Sequence, residues 1–233
     1  MIYKIAGIYV EMDPQYPRTA EQSMVYRVTE PAKPDLILRT DKKIMDKLKE
    51  IHSLPNDESS EYMLLATEFY EYLIEFGGFM LHSSAVVHNG KAYLFSAPSG
   101  TGKSTHTQLW VKHFDDAYII NDDKPAIRLI NGKFYVYGTP FSGKTNLNVN
   151  TCVPLGGICV LERSETNSIE KIPPEEAMFK ILDQTVRPWE EGRMDTLLKI
   201  LGTLISNESV YRLRCNTDEE ACEVSYNGMK GEE

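Results

Sequence analysis

Residues 93–112 constrain the fold more than any other stretch of the chain. An apolar, β-type run, Tyr93-Leu94-Phe95-Ser96, gives way to Ala97-Pro98-Ser99-Gly100-Thr101-Gly102-Lys103-Ser104, and Thr105 to Lys112 then reads as a helix. A strand that ends in a glycine-rich loop opening directly into a helix presents consecutive backbone N–H groups at a sheet edge. Those groups form a concave anion site, and the helix N-terminus adds its partial positive charge. The pattern therefore assigns phosphate binding to Ser99, Gly100, Thr101, Gly102, Lys103, Ser104 and Thr105. Lys103 is expected to reach the β- and γ-phosphates of ATP, and the Ser104 hydroxyl to ligate Mg²⁺. Ala97 stands where the usual pattern opens on glycine, a change that a modest backbone adjustment absorbs.

Downstream, Asn121-Asp122-Asp123 ends the short apolar run Tyr118-Ile119-Ile120. Carboxylates at the end of a core strand can hold Mg²⁺ or its water shell, and one can take the proton of an attacking hydroxyl. Asp122 and Asp123 are both catalytic candidates; Asp122 is the candidate for the metal and Asp123, one residue further from the strand, the candidate base, and which of the two takes the proton stays open. A plain turn is the competing reading, since Asn and Asp favour turns. The phosphate loop upstream decides against it.

Around these motifs the chain reads as α/β. Asn89-Gly90 separates the apolar runs Ser84–Val87 and Ala92–Phe95, and Asn131-Gly132 separates Ala126–Ile130 from Lys133–Tyr137, each a hairpin signal. Leu155 to Leu161 reads as a buried strand. Pro173 to Val186, Glu191 to Ile205 and Asp218 to Met229 read as helices, so the C-terminal third is expected to be helical, with Thr217 as N-cap and Glu220 completing a capping box. Residues 1–55 form a small β/α attachment, with strands over Ile2–Val10, Met24–Val28 and Asp35–Arg39 and a helix over Lys42–Ile51. The loop Ser53 to Glu58 separates it from the main unit, residues 56–233, whose first helix spans Glu61 to Phe76.

Composition narrows the function classes. No run approaches the roughly 18 apolar residues of a membrane span, and the N-terminus lacks the features of a secretory signal, so a cytoplasmic location is expected. The net charge of −9 carries no legible basic face, which argues against nucleic acid as the main partner. The spacings of Cys152, Cys159, Cys215 and Cys222 fit neither a zinc knuckle nor a redox pair, so all four are expected as buried small hydrophobes.

The ordered set His82-Ser83-Ser84-Ala85-Val86-Val87, the 96–105 loop, Asp122-Asp123, Gly138-Thr139-Pro140-Phe141-Ser142-Gly143-Lys144, Pro154 to Ile158 and Tyr211 to Cys215 resembles HPr kinase/phosphorylase and its relative ATP-dependent phosphoenolpyruvate carboxykinase. The resemblance implies a P-loop core of mixed sheet with β-hairpins and C-terminal helices. It also implies an active-site role for His82 beside the paired aspartates, where a satisfied core histidine is the alternative. Lys144 falls in the family's glycine-rich cationic segment and becomes a candidate for stabilising the transferred phosphoryl. The arginine- and glycine-rich signature of HPr kinase itself is not recognisable, and the N-terminal segment is shorter, so HPr is not the expected substrate. The chain is more similar to compact HPr-kinase-like proteins, some of which phosphorylate a serine of a ribosomal peptide such as a lasso-peptide precursor. The resemblance thus implies an ATP- and Mg²⁺-dependent kinase acting on a hydroxyl of a peptide or small protein. A small-molecule acceptor and a non-catalytic ATP-binding regulatory module remain alternatives, and homo-oligomerisation is left open. Arg187-Pro188-Trp189 suits either a substrate lip or an ordinary helix terminus.

Overall fold

The computed structural model describes residues 1–231. At its N-terminus Ala6 and Gly7 take φ of 49° and 80°, the positive values that a two-residue hairpin turn needs. They fold β1 (Ile2–Ile5) onto β2 (Ile8–Glu11), and the two-residue β3 (Leu36–Ile37) adds in parallel. Between β2 and β3 lies a helix the sequence reading did not contain, α1 (Pro17–Ser23), started by a proline whose fixed φ suits the first helical turn. The strand expected over Met24–Val28 is instead a 3₁₀ turn, Met24–Tyr26, with Met24 and Val25 exposed and Tyr26 buried. Its short apolar run serves a reversal in which only Tyr26 points inward, its hydroxyl donating to Asn148 Oδ1 at 2.8 Å.

The helix α2 (Lys42–Ile51) has the expected bounds and is capped by Asp41, whose carboxylate accepts from the N–H groups of Lys43 and Ile44. The helix α3 (Asp57–Leu73) begins before Glu61 because Asn56 caps it through the Ser59 N–H. It closes through a 3₁₀ turn onto Gly77 in the left-handed conformation. One face of α3 packs against the small sheet: Tyr3, Ile5, Val10, Phe69 and Tyr70 share a cluster with Phe141. The Phe141 ring lies 5.7–5.8 Å from those of Tyr62, Phe69 and Tyr70.

The main sheet takes β4 (Gly78–Met80), β5 (Ser83–His88) and β6 (Lys91–Ser96), then α4 (Lys103–His113), β7 (Tyr118–Asn121), β8 (Ala126–Ile130) and β9 (Lys133–Tyr137). It continues with β10 (Cys152–Arg163), β11 (Ser168–Lys171), α5 (Pro174–Asp183), α6 (Glu191–Asn207), β12 (Val210–Cys215) and α7 (Glu220–Met229). Strand order is β4-β8-β9-β10-β6-β5-β7, with β12 beside β10 and β11 beside β12. Both Asn-Gly pairs turn as expected, with positive φ at Asn89, Gly90, Asn131 and Gly132. β10 is longer than the run of apolar residues suggested because it pairs with three strands along its length. Residues 152–154 pair antiparallel with β9, and the remainder lies parallel between β6 and β12. Gly156 marks the register shift, where a Cβ would come within 2.9 Å of the Tyr93 ring.

β6, β10 and β12 are parallel, and β5 is antiparallel to both β6 and β7. The C-terminal ends of β6, β7, β10 and β12 and the start of β5 therefore share one sheet edge. Side chains alternate across the sheet: Leu94 and Ile158 face Ile181, Leu197 and Leu201 of α5 and α6, whereas Phe95, Cys159 and Leu213 face Trp110 of α4 and Cys222 of α7. Among the described residues no helix is long and apolar enough to cross a membrane.

The C-terminal third corrects the sequence reading in two places, and Cys152 just before it corrects a further one. This part of the chain is not wholly helical, because β11 and β12 interrupt it. In β12, Tyr211, Leu213 and Cys215 face inward while Arg212 and Arg214 form ion pairs with Glu162 and Glu170, a period of two that five residues barely display. The capping box does not form either, since α7 starts from Glu219 with no side-chain cap and Thr217 lies outside it. Cys152 is exposed at the start of β10, whereas Cys159, Cys215 and Cys222 are buried as expected.

Because Phe141 is fully buried among three aromatic rings next to the segment that borders the sheet edge, Phe141→Ala is expected to cost about 3–5 kcal/mol. Urea unfolding monitored by circular dichroism measures the loss.

Candidate functional site

At the shared sheet edge lies a polar cavity of about 530 Å³. Every residue of the predicted phosphate set except Thr101 lines it, and so do Asp122, Asp123, His82 and Lys144. Residues singled out from four separate stretches of sequence are thus brought to one place.

The loop after β6 is shaped by Gly100 and Gly102, whose φ values are 79° and 123°. A Cβ at either would meet nothing within 4 Å, so it is the backbone conformation, not crowding, that calls for glycine. Thr101 closes the loop on itself, its hydroxyl donating to the Pro98 carbonyl at 2.8 Å. From the end of β10, Arg163 Nε donates to Thr101 O at 2.9 Å and Nη2 donates to Gly100 O. The C=O and N–H of a trans peptide point oppositely, so holding Thr101 O toward Arg163 turns the Gly102 N–H away from it. α4 then begins without a side-chain cap, leaving its first N–H groups for other acceptors. Lys103 is buried and folded back, with Nζ donating to Ala97 O at 2.7 Å and Pro98 O at 3.4 Å. Burial lowers its pKa, against the opposing pull of the Asp123 and Asp122 carboxylates.

The two aspartates sit in different environments. Asp122 is buried, and its Oδ1 accepts from Ser84 Oγ at 2.6 Å; Ser84 Oγ in turn lies 2.7 Å from Thr107 Oγ1. This chain ties the end of β7 through β5 to α4. No protein donor engages Oδ2 of Asp122 among the described residues. Asp123 has both oxygens engaged, Oδ1 by His82 Nε2 at 3.2 Å and Oδ2 by Lys124 Nζ. Burial pushes its carboxyl up, but the His82 bond and the Lys124 charge outweigh this and bring it down to about 2. His82 is fixed at both backbone ends: its N–H donates to Gln184 O at 2.8 Å, and its carbonyl accepts from Ser96 Oγ at 2.9 Å.

The far wall is the turn at Gly143-Lys144. Gly143 has φ of 71°, and a Cβ there would lie 2.9 Å from that of Asp123. Its N–H donates to the Tyr62 hydroxyl at 2.9 Å, and its carbonyl accepts from Arg18 Nη2 at 2.8 Å. The Arg18 guanidinium lies 3.7 Å over the Tyr62 ring, with Lys124 Nζ 5.6 Å from the same ring. Lys144 is exposed on this wall. Arg187 and Trp189, offered as a substrate lip, are both exposed and do not line the cavity.

Sequence reasoning missed Lys124, Arg18, Tyr62 and Arg163. Lys124 directly follows the acidic pair and was within reach of local reasoning. Arg18 and Arg163 had no local signal, because only the tertiary fold brings α1 and the end of β10 to the loop. Counting them, the lining holds five cations (Arg18, Lys103, Lys124, Lys144, Arg163) against two carboxylates, in a chain of net charge −9. Such an excess selects an anionic ligand. Among the described residues no group of three or more His, Cys, Asp and Glu side chains is placed to hold a metal. Mg²⁺ does not need one, because it is held through one or two carboxylates together with substrate phosphates and water. Oδ2 of Asp122 and the exposed Ser104 hydroxyl are the protein oxygens that suit this mode.

Asp123 has a folded pKa of about 2 against 3.8 for the free side chain. A depressed carboxylate stabilises the fold above its unfolded value and loses that contribution as pH falls through the folded one. The thermal midpoint should therefore drop between about pH 4 and pH 2, and Asp123→Asn should flatten that part of the profile; differential scanning calorimetry across pH reads both.

Residues 57–227 match the family described as ScmC, SynChlorMet cassette protein ScmC. Among solved structures, the Hpr(Ser) kinase/phosphatase from Coxiella burnetii is similar at 10% identity, over 65% of this chain and 99% of that one, with a TM-score of 0.37. No curated protein matches the chain.

Proposed function

We propose that this chain, which belongs to the ScmC family of SynChlorMet cassette proteins, is an ATP- and Mg²⁺-dependent phosphotransferase with a hydroxyl-bearing acceptor. The observation that carries the reading is the meeting of Asp122 and Asp123 with the glycine loop and its lysine in one cation-rich cavity. A loop that only bound phosphate would need neither the carboxylates nor the His82 that holds one of them.

On this reading each group has a separate task. Loop N–H groups and the α4 N-terminus receive the phosphates, with Lys103 leaving the Ala97 carbonyl to reach them. Asp122 Oδ2 and Ser104 Oγ would hold Mg²⁺, which supplies charge neutralisation at the phosphate oxygens when bound. Asp123 takes the acceptor hydroxyl's proton as the oxygen–phosphorus bond forms and the bond to ADP breaks. At rest Lys124 keeps Asp123 a weak base. A phosphoryl group that draws Lys124 away removes that charge and raises the basicity where it is needed. Lys144 and Arg18 stand on the wall opposite the loop, where positive charge stabilises a phosphoryl in transit. His82 positions Asp123 through the 3.2 Å contact. A serine of a peptide or small protein is the proposed acceptor; a small-molecule hydroxyl would use the same machinery.

Lys103→Ala is expected to weaken ATP binding by roughly 10- to 100-fold, the range for losing a charge-assisted hydrogen bond, as read by calorimetric titration. Wild-type affinity in the variant would overturn the phosphate site. Asp123→Asn should keep ATP–Mg²⁺ affinity and slow transfer by about 10²–10⁴-fold, whereas Asp122→Asn should raise the Mg²⁺ requirement. Slow ATP hydrolysis in single-turnover assays gives the readout without a known acceptor. Wild-type rates in both variants would leave a nucleotide-binding regulatory module as the better account.

A further inference from the structure

The glycine loop has a second side. There, one stripe of α4 and the C-terminal ends of β10 and β12 enclose another cavity of about 350 Å³. Gly102, Thr105 and Arg163 line both volumes, so the loop and the Arg163 side chain are the wall between them. Both sizes fall in the range of small-molecule sites, about 300–1,000 Å³.

Their chemistry differs. The first cavity gathers four further cations and two carboxylates. The second has no carboxylate, and Leu109, Leu161 and Cys215 give it apolar walls. Its one buried polar side chain is His106, only 2% exposed. His106 Nε2 lies 3.2 Å from Trp110 Nε1 and 3.1 Å from Ser225 Oγ, and Trp110 Nε1 also donates to that hydroxyl at 3.1 Å, so this side of the ring is engaged within the core. On the other side of the ring, Nδ1 has the Cys215 sulfur at 3.9 Å, a weak partner whether it donates or accepts. A buried ring nitrogen with so weak a partner, set in an apolar wall, suits a flat ligand with a polar edge.

We propose that the second cavity is the nucleobase and sugar subsite of the nucleotide whose phosphates occupy the first, an inference that rests on the phosphotransferase reading above. A triphosphate running over the loop at Gly102 would leave its nucleoside end on the apolar side. Arg163 fits the junction, because its hydrogen bonds to Gly100 O and Thr101 O lie in the guanidinium plane and leave its faces for stacking. His106 Nδ1 meets the polar edge of the base.

Calorimetric titration of the full chain with ATP and with inorganic tripolyphosphate, both with Mg²⁺, separates the two subsites. ATP is expected to bind roughly tenfold tighter or more, from the apolar ring area that a base would bury. Leu109→Trp and, at the exposed rim, Thr217→Trp both fill the second cavity. Each should bring ATP affinity down to that of tripolyphosphate while leaving tripolyphosphate unchanged. Equal affinities in the wild-type protein overturn the inference without recourse to a variant, and leave the phosphate site standing. So does an ATP advantage that survives both fillings in folded protein. Failure of both ligands to bind removes the phosphotransferase reading, and this inference with it.

Discussion

The two-residue turn at Asn89-Gly90 fixes the register of β5 on β6, and the whole site inherits that register. With Ser83 opposite Ser96, Ser84 lies opposite Phe95 and faces α4, where its hydroxyl meets Thr107 and Asp122. The same register puts His82 just beyond the strand, within reach of both the Ser96 hydroxyl and Asp123. A slip of one residue would turn Ser84 to the opposite face, among the α5 and α6 side chains. Asp122 would then be a buried carboxylate without its donor, a state that costs far more than the bond itself is worth.

Charge at the sheet edge runs against the charge of the chain as a whole. The N-terminal segment takes part in this: α1 sets Arg18 over Tyr62 of α3, and both bond to Gly143. Gly143 in turn passes so close to Asp123 that a side chain on it would collide. The aromatic cluster around Phe141 holds this wall from behind, so packing among residues distant in sequence sets how the far side of the cavity faces the loop.

Short-range signals were the legible ones. The glycine loop, the acidic pair and both Asn-Gly turns depend on residues within a few positions of each other, and α2 was readable to its last residue because Asp41 caps a strongly amphipathic stretch. β12 was hidden because five or six residues show too few alternations to separate strand from helix. α1 was hidden because its hydrophobic content is low and its burial rests on Thr19, Gln22 and Ser23. The loop and the aspartates were read from the residues themselves, whereas His82 and Lys144 were placed only by the family resemblance. Arg18 and Arg163 were not found, since nothing near either of them in the chain marks it for the site.

The lysine of the glycine loop is already committed in the resting protein, bonded to the carbonyl of Ala97. On the proposed function, an arriving anion would meet an internal competitor, and occupation would be an exchange of one acceptor for another. The lysine's contribution to affinity would then be the difference between two bonds, and anything that strengthened the resting bond would make the loop more selective for ligands of high charge density. Ala97, the one departure from the usual motif, supplies the competing acceptor through its backbone, so the side chain at that position is free to vary while the threshold for occupation stays with the fold.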